Sequence, residues 1–188
     1  MKRALRAFKL YVPAKLVGTL IEEEAEPRLG GREEEVTIFF SDIEGLSSFA
    51  EKVDPSELAS KLGHYLQCLT DEIHASGGTV DKYIGDAIMA FWNAPKRVEH
   101  HEEAAVDAAY RCQKVVEALG KEGLPFSTRI GIHTAQVFVG NFGARDRMNY
   151  TLAGDGVNLA SRLEGANRFY GTSILVSGHT VTKLQNGW

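Results

Sequence analysis

The sequence predicts an α+β protein built on a split β-α-β unit, the ferredoxin-like βαββαβ plan, with an N-terminal adapter helix in front of it. Three observations carry that prediction. Glu35–Ser41 (EVTIFFS) is a dense β-type run. Thr79–Ile84 and Ala87–Trp92 form a second pair of such runs around Gly85-Asp86, which reads as a tight hairpin. One amphipathic segment before that hairpin and one after it repeat their apolar residues at helical spacing. Strand, helix, hairpin, helix, strand is the order of an antiparallel-rich sheet with its two helices on one face.

Each element has a local reason. Met1–Lys9 carries Lys2, Arg3, Arg6 and Lys9, which form either a solvated basic end or one that touches an anionic membrane surface. Pro13 opens a helix through Ala14–Ile21 into the acidic run Glu22–Glu26, and Pro27, Gly30 and Gly31 break it. Residues 1–34 are thus expected to be adapter helix and linker, and 35–188 the compact domain. After the first strand, Ile43–Phe49 begins a turn and short helix. Asp54-Pro-Ser-Glu57 is a helix start, with an acceptor at N-cap, proline at N1 and glutamate at N3. Leu58, Leu62, Tyr65, Leu66, Leu69 and Ile73 continue that helix until Gly77-Gly78 ends it. A second long helix is expected over roughly Glu99–Leu119, stopped by Gly120. Strands at Ser127–His133 and Gln136–Gly140, joined at Thr134-Ala135, precede a polar loop over Asn141–Asn149. A short extended run, Tyr150–Leu152, leads to a helix over Val157–Phe169 ended by Gly171, then a strand at Ile174–Val176 and a helix capped by Ser177.

Composition narrows the function classes. A chain of 188 residues with 44% hydrophobic and 24% charged residues suits one soluble domain with a sizeable core. Its formal net charge of −4 leaves no electrostatic footprint for nucleic acid, although a polyphosphate can still bind through local cations and metal. Cys68 and Cys112 lie on apolar helix faces and read as reduced core thiols, which favours a cytoplasmic setting. No apolar run reaches membrane-spanning length, so a membrane anchor would lie outside this sequence. His100-His101 is a poor metal pair, because adjacent helical residues do not share a face.

Two acids stand where strands end. Asp42 follows the first strand and Asp86 sits at the hairpin tip; the split β-α-β plan lays those two places side by side. They are either polar turn residues or a carboxylate pair able to share divalent cations for phosphoryl or nucleotidyl transfer. Asn158 and Arg162 are four residues apart on one helix, hence on one face. They form either an ordinary polar stripe or an amide and guanidinium that hold a ribose and a polyphosphate.

Four ordered blocks, FFSDIEGLSSF, DKYIGDAIMAFW, RIGIHTAQVFVGNFG and YTLAGDGVNLASRLEGANRFYGT, cover about Glu35 to Ser177. Together they make the chain similar to the catalytic domain of class III nucleotide cyclases, which form cyclic AMP or cyclic GMP. The resemblance implies the class III cyclase fold and a residue-by-residue assignment. Asp42 and Asp86 match the aspartates that bind two divalent cations, Mg²⁺ or Mn²⁺, and the Ile43 backbone carbonyl matches a further metal ligand. Lys82 matches the lysine that reads adenine, and Thr151 sits where the family places its other purine reader. Asn158 matches the ribose-orienting asparagine, and Arg162 the arginine that stabilises the transition state. Lys82 with Thr151 looks like the adenine-selective pairing, where guanylate cyclases typically carry glutamate and cysteine.

The activity so implied is an adenylate cyclase acting in signal transduction. ATP becomes 3′,5′-cyclic AMP and pyrophosphate, in sites shared across a head-to-tail homodimer and regulated by an upstream sensor domain. Competing expectations are a catalytically silent nucleotide-binding dimerisation module and a guanylate cyclase; the GG[DE]EF signature of diguanylate cyclases is absent. Two departures from the family stand out. Ala135 and Gln136 replace the usual glycine turn after His133-Thr134. Val181–Trp188 holds no match for the lysine that binds the triphosphate, which leads to the expectation of a C-terminally truncated domain.

Overall fold

A computed structural model describes Val12 and residues 16–18, 28–144 and 146–185. The expected adapter helix therefore falls almost entirely outside the described residues; of it, Leu16–Gly18 is helical, with Leu16 and Val17 buried. The order from there is β1 (Gly30–Glu44), α1 (Leu46–Ala50), α2 (Pro55–Ala75), β2 (Thr79–Ile84), β3 (Ala87–Trp92), α3 (His101–Lys121), β4 (Ser127–Ala144), β5 (Arg147–Ala153), α4 (Asp155–Tyr170), β6 (Ile174–Val176) and α5 (Gly178–Val181). The sheet runs β2-β3-β1-β4-β5, antiparallel at each of these contacts, and β6 pairs with β4 in parallel. The βαββαβ order of β1, α2, β2, β3, α3 and β4 is the predicted one.

Side-chain alternation along the strands divides the core in two. Phe39 and Ile43 of β1, Ile88, Ala90 and Trp92 of β3, and Ile130 and Ile132 of β4 pack on one face with α2 and α3. Val36, Ile38, Met89, Phe91, Val137, Val139 and Leu152 form the other face with Ala160 of α4. The run AIMAFW is apolar at every position because both faces are covered. The two helices of the repeat share one face, and α4, which follows it, covers the opposite one. Gly131 sets how close α4 comes: a Cβ there would lie 2.2 Å from the Glu164 nitrogen and 2.4 Å from the Ala160 oxygen. The helix backbone rests directly on β4.

The boundaries differ from expectation at four places, one of them the polar loop expected over Asn141–Asn149, most of which is strand because β4 and β5 pair from Phe138↔Ala153 to Ala144↔Arg147. β1 begins at Gly30 and runs through Asp42 to Glu44, absorbing part of the expected linker, because it pairs with β4 without a break from Gly30↔Asn141 to Glu44↔Ser127. Accordingly β4 is one strand of 18 residues, with no turn at Thr134-Ala135. Thr134 is buried there, and its Oγ1 bonds with Thr37 and Thr180 hydroxyls at 2.9 and 3.1 Å. Lastly α3 passes through Gly120 to Lys121, and the left-handed glycine beyond it is Gly123. The Asp54 cap, bonded to the Ser56 N–H at 2.8 Å, and the Gly171 C-cap are where the sequence predicts them.

Candidate active site

The β2–β3 hairpin closes with Ile84 paired to Ala87, leaving Gly85 (φ 66°) and Asp86 as its two turn residues. Asp86 Oδ2 accepts the Ile43 backbone N–H at 3.1 Å, which ties the tip to the end of β1. Asp42, one residue earlier, continues the row Val36-Ile38-Phe40 onto the face that α4 covers. Partial burial pushes the Asp42 carboxyl above the usual range, the neighbouring Asp86 charge adds to the rise, and Arg129 opposes it. The fold thus brings Asp42 and Asp86 together, although 43 residues separate Ile43 from Asp86. Ile43 has its side chain in the core, so its backbone is what it offers the site.

Two further residues complete this corner. Arg129 stands opposite Asp42 in the β1–β4 register, and its Nη2 donates to Asp42 Oδ2 at 3.0 Å. Its Nε lies 3.2 Å from Glu164 Oε1 on α4. Burial raises the Glu164 carboxyl as well, with Asp42 and Asp86 contributing and Arg129 opposing. Asp42 and Glu164 therefore share one guanidinium with Asp86 beside Asp42, an acidic excess built from hard oxygen donors. That set fits divalent cations, with Asp42, Asp86 and the Ile43 carbonyl the residues that could hold them. Sequence reading missed Arg129 and Glu164; the signal that could have found Arg129 was the cross-strand register.

Lys82 and Thr151 lie on the two edge strands of the sheet, yet Lys82 Nζ donates to Thr151 Oγ1 at 2.9 Å. The sheet is coiled strongly enough for its edges to meet. Lys82 also pairs with Asp81 at 3.0 Å, and the Thr151 hydroxyl donates to the other Asp81 oxygen. Asn158 and Arg162 are both exposed on α4. Neither makes a hydrogen bond or ion pair to the acid corner or to Lys82–Thr151 among the described residues. One chain thus presents three groups: an acid corner, a lysine–threonine pair and an exposed amide with its guanidinium.

The histidines divide as follows. His101 comes within 4.8 Å of Glu35 and Glu102, while His100 takes the left-handed cap position before α3. Lys183 already places its ammonium on both Glu35 oxygens at 2.8 and 2.9 Å. Among the described residues no helix is long and apolar enough to cross a membrane, and neither cysteine is in a disulfide.

Comparison with known proteins identifies the fold and the family. Residues 30–187 match the adenylate and guanylate cyclase catalytic domain. The chain is 40% identical over 191 residues to adenylate cyclase 1 of Rhizobium meliloti (strain 1021), covering 97% of this chain and 28% of that protein. A bacterial light-regulated adenylyl cyclase superposes with a TM-score of 0.90 at 29% identity, over 100% of this chain and 56% of the other. The adenylyl cyclase CyaB from P. aeruginosa gives a TM-score of 0.75 at 35% identity, over 82% of each chain. The chain therefore spans well under a third of that curated relative and about half of the light-regulated enzyme. With 158 consecutive positions matched and the acid corner assembled, the chain belongs to the family of adenylate and guanylate cyclase catalytic domains.

Proposed function

We propose that this domain is an adenylate cyclase, converting ATP to 3′,5′-cyclic AMP and pyrophosphate. The observation that carries the reading is the meeting of Asp42 and Asp86 at the hairpin tip, beside Arg129. Mg²⁺ or Mn²⁺ held by Asp42, Asp86 and the Ile43 carbonyl would supply Lewis acidity to the ribose 3′-hydroxyl and neutralise phosphate charge. In the reaction the 3′-hydroxyl gives its proton to solvent as its oxygen bonds to the α-phosphorus, the bond from the α-phosphorus to the α–β bridging oxygen breaks, and pyrophosphate leaves with that electron pair. Asn158 orients the ribose, and Arg162 donates to the oxygens gaining charge between α- and β-phosphorus; such a contact is worth several kcal/mol.

Base choice falls to Lys82 and Thr151. An ammonium donates to adenine N1, and a hydroxyl oxygen accepts from the exocyclic amine. Guanine reverses both demands. Their contact within one chain supports their acting as a unit.

The site is completed by a second copy. Asp86 turns to β1 while Lys82, four positions earlier, turns to β5, so one hairpin serves two places. Exposed apolar side chains lie on the same two elements as these groups: Tyr83 and Ile84 on the hairpin, Leu159, Phe169 and Tyr170 on or at the end of α4. A head-to-tail homodimer would cover them and join the acid corner of one protomer to the Lys82, Thr151, Asn158 and Arg162 of the other. An upstream sensor, reached through residues 1–34, would regulate the pair.

The test is product analysis with ATP and GTP in Mg²⁺ or Mn²⁺. Cyclic AMP should dominate, and Asp42→Ala or Asp86→Ala should abolish it. Lys82→Glu combined with Thr151→Cys should turn preference toward GTP. Undiminished cyclic AMP formation by Asp42→Ala would end the metal assignment, and an unchanged ATP preference would end the base-reading one.

A further inference from the structure

We propose that Asp81, a residue that touches no substrate, enforces the choice of adenine by fixing the Thr151 hydroxyl as an acceptor. The inference rests on Lys82 and Thr151 reading the purine, as proposed above.

A threonine hydroxyl has one proton and two lone pairs, so alone it can serve either an amine or a carbonyl. Here its proton is committed. The Thr151 hydroxyl donates to Asp81 Oδ2, and Lys82 Nζ fills one lone pair at 2.9 Å. What remains is a single lone pair, which can take a proton from the 6-amine of adenine and offers nothing to a 6-carbonyl. Lys82 is committed in the same way. Two of its three protons go to Thr151 and to Asp81 Oδ1 at 3.0 Å, leaving one for an unprotonated ring nitrogen.

The backbone explains how neighbouring residues reach one hydroxyl. Consecutive strand residues normally point to opposite faces. The β2–β3 register slips between Val80 and Lys82, so Asp81 is the extra residue of a bulge and swings to the same side as Lys82. Its side chain is 2% exposed whereas that of Lys82 is 39% exposed, so the carboxylate lies beneath the pair and the ammonium faces outward. A carboxylate this buried, with both oxygens engaged by the two purine readers, is placed to position them.

The probe is inosine triphosphate, which differs from ATP only in its 6-carbonyl and N1–H and so isolates the contested edge. The quantity read is the ratio of kcat/KM for ATP over inosine triphosphate, because damage to folding lowers both values and leaves the ratio alone. Asp81→Asn frees the Thr151 proton and should reduce that ratio by roughly ten- to hundredfold, mostly through the two KM values. Thr151→Ala should flatten the ratio too, and the double variant should go no further. A second variant needs Asp81 intact: in Thr151→Asn the carboxylate should capture the amide NH₂, leave the oxygen toward the base and preserve the preference for ATP. If Thr151→Ala flattens the ratio but Asp81→Asn does not, or if Thr151→Asn accepts both nucleotides alike, Asp81 does not set the choice and the base readers stand. If Thr151→Ala leaves the ratio unchanged, the reading of Thr151 falls and takes this inference with it.

Discussion

Asp42 answers to three neighbours at once: burial and Asp86 push its proton affinity up, and Arg129 holds it down. On the proposed reading, a divalent cation held by Asp42 would take over the work of the guanidinium and repel it. Glu164 is the group that can receive Arg129 in that exchange, since it already lies 3.2 Å from Nε with both side chains largely buried. Without its charge Arg129 would bind Asp42 more exclusively and compete harder with the cation. Glu164→Gln should therefore raise the Mn²⁺ concentration for half-maximal activity by about tenfold, the usual scale for a partner one layer behind a metal ligand. Titrating activity with Mn²⁺ at saturating ATP measures it. An unchanged Mn²⁺ curve would show that Glu164 only packs against β4.

Among the elements, β4 is the one whose course depends on chemistry far away in the chain. His101, Thr37, Thr134, Thr180, Ser177 and His133 form an unbroken hydrogen-bonded chain, with links of 2.7 to 3.1 Å, that joins α3, β1, β4 and α5. Thr134→Val keeps the shape but strands the hydroxyls on either side, and should cost about 1–3 kcal/mol in chemical denaturation. Burial holds both terminal imidazoles below their usual range. The folded protein keeps them neutral while the unfolded chain takes up protons near 6.5, so their contribution is complete above that pH. It is lost as pH falls through the window below, and the melting temperature should drop between about pH 7 and pH 5. Elements bounded by local chemistry, such as the Asp54 cap, the Gly85-Asp86 turn and Gly171, were legible in the sequence for that reason. The continuity of β4 was not, because Thr134 is held straight by Thr37 and Thr180, 97 and 46 residues away.

At the scale of the molecule, the coiling of the sheet decides which site residues meet. Asp42 and Asp86 could be paired from the order of elements alone, since that order places the first strand beside the first hairpin. Lys82 and Thr151 came from resemblance, and only the curvature that brings β2 to β5 puts them in contact. Asp81 and Arg129 were hidden because a bulge and a cross-strand register have no signature in single residues. Asn158 and Arg162 stand exposed on α4 and, among the described residues, bond neither to the acid corner nor to Lys82–Thr151, so a head-to-tail pair of chains is what would unite them. Asp42→Ala and Arg162→Ala, each inactive alone, make that arrangement measurable. In their heterodimer one site receives both substitutions and the other receives neither. Random exchange makes half the dimers mixed, so an equimolar mixture should recover about a quarter of wild-type activity. If each chain built its own whole site, mixing would restore nothing however completely the subunits exchanged, and cyclic AMP formation in that mixture separates the two architectures.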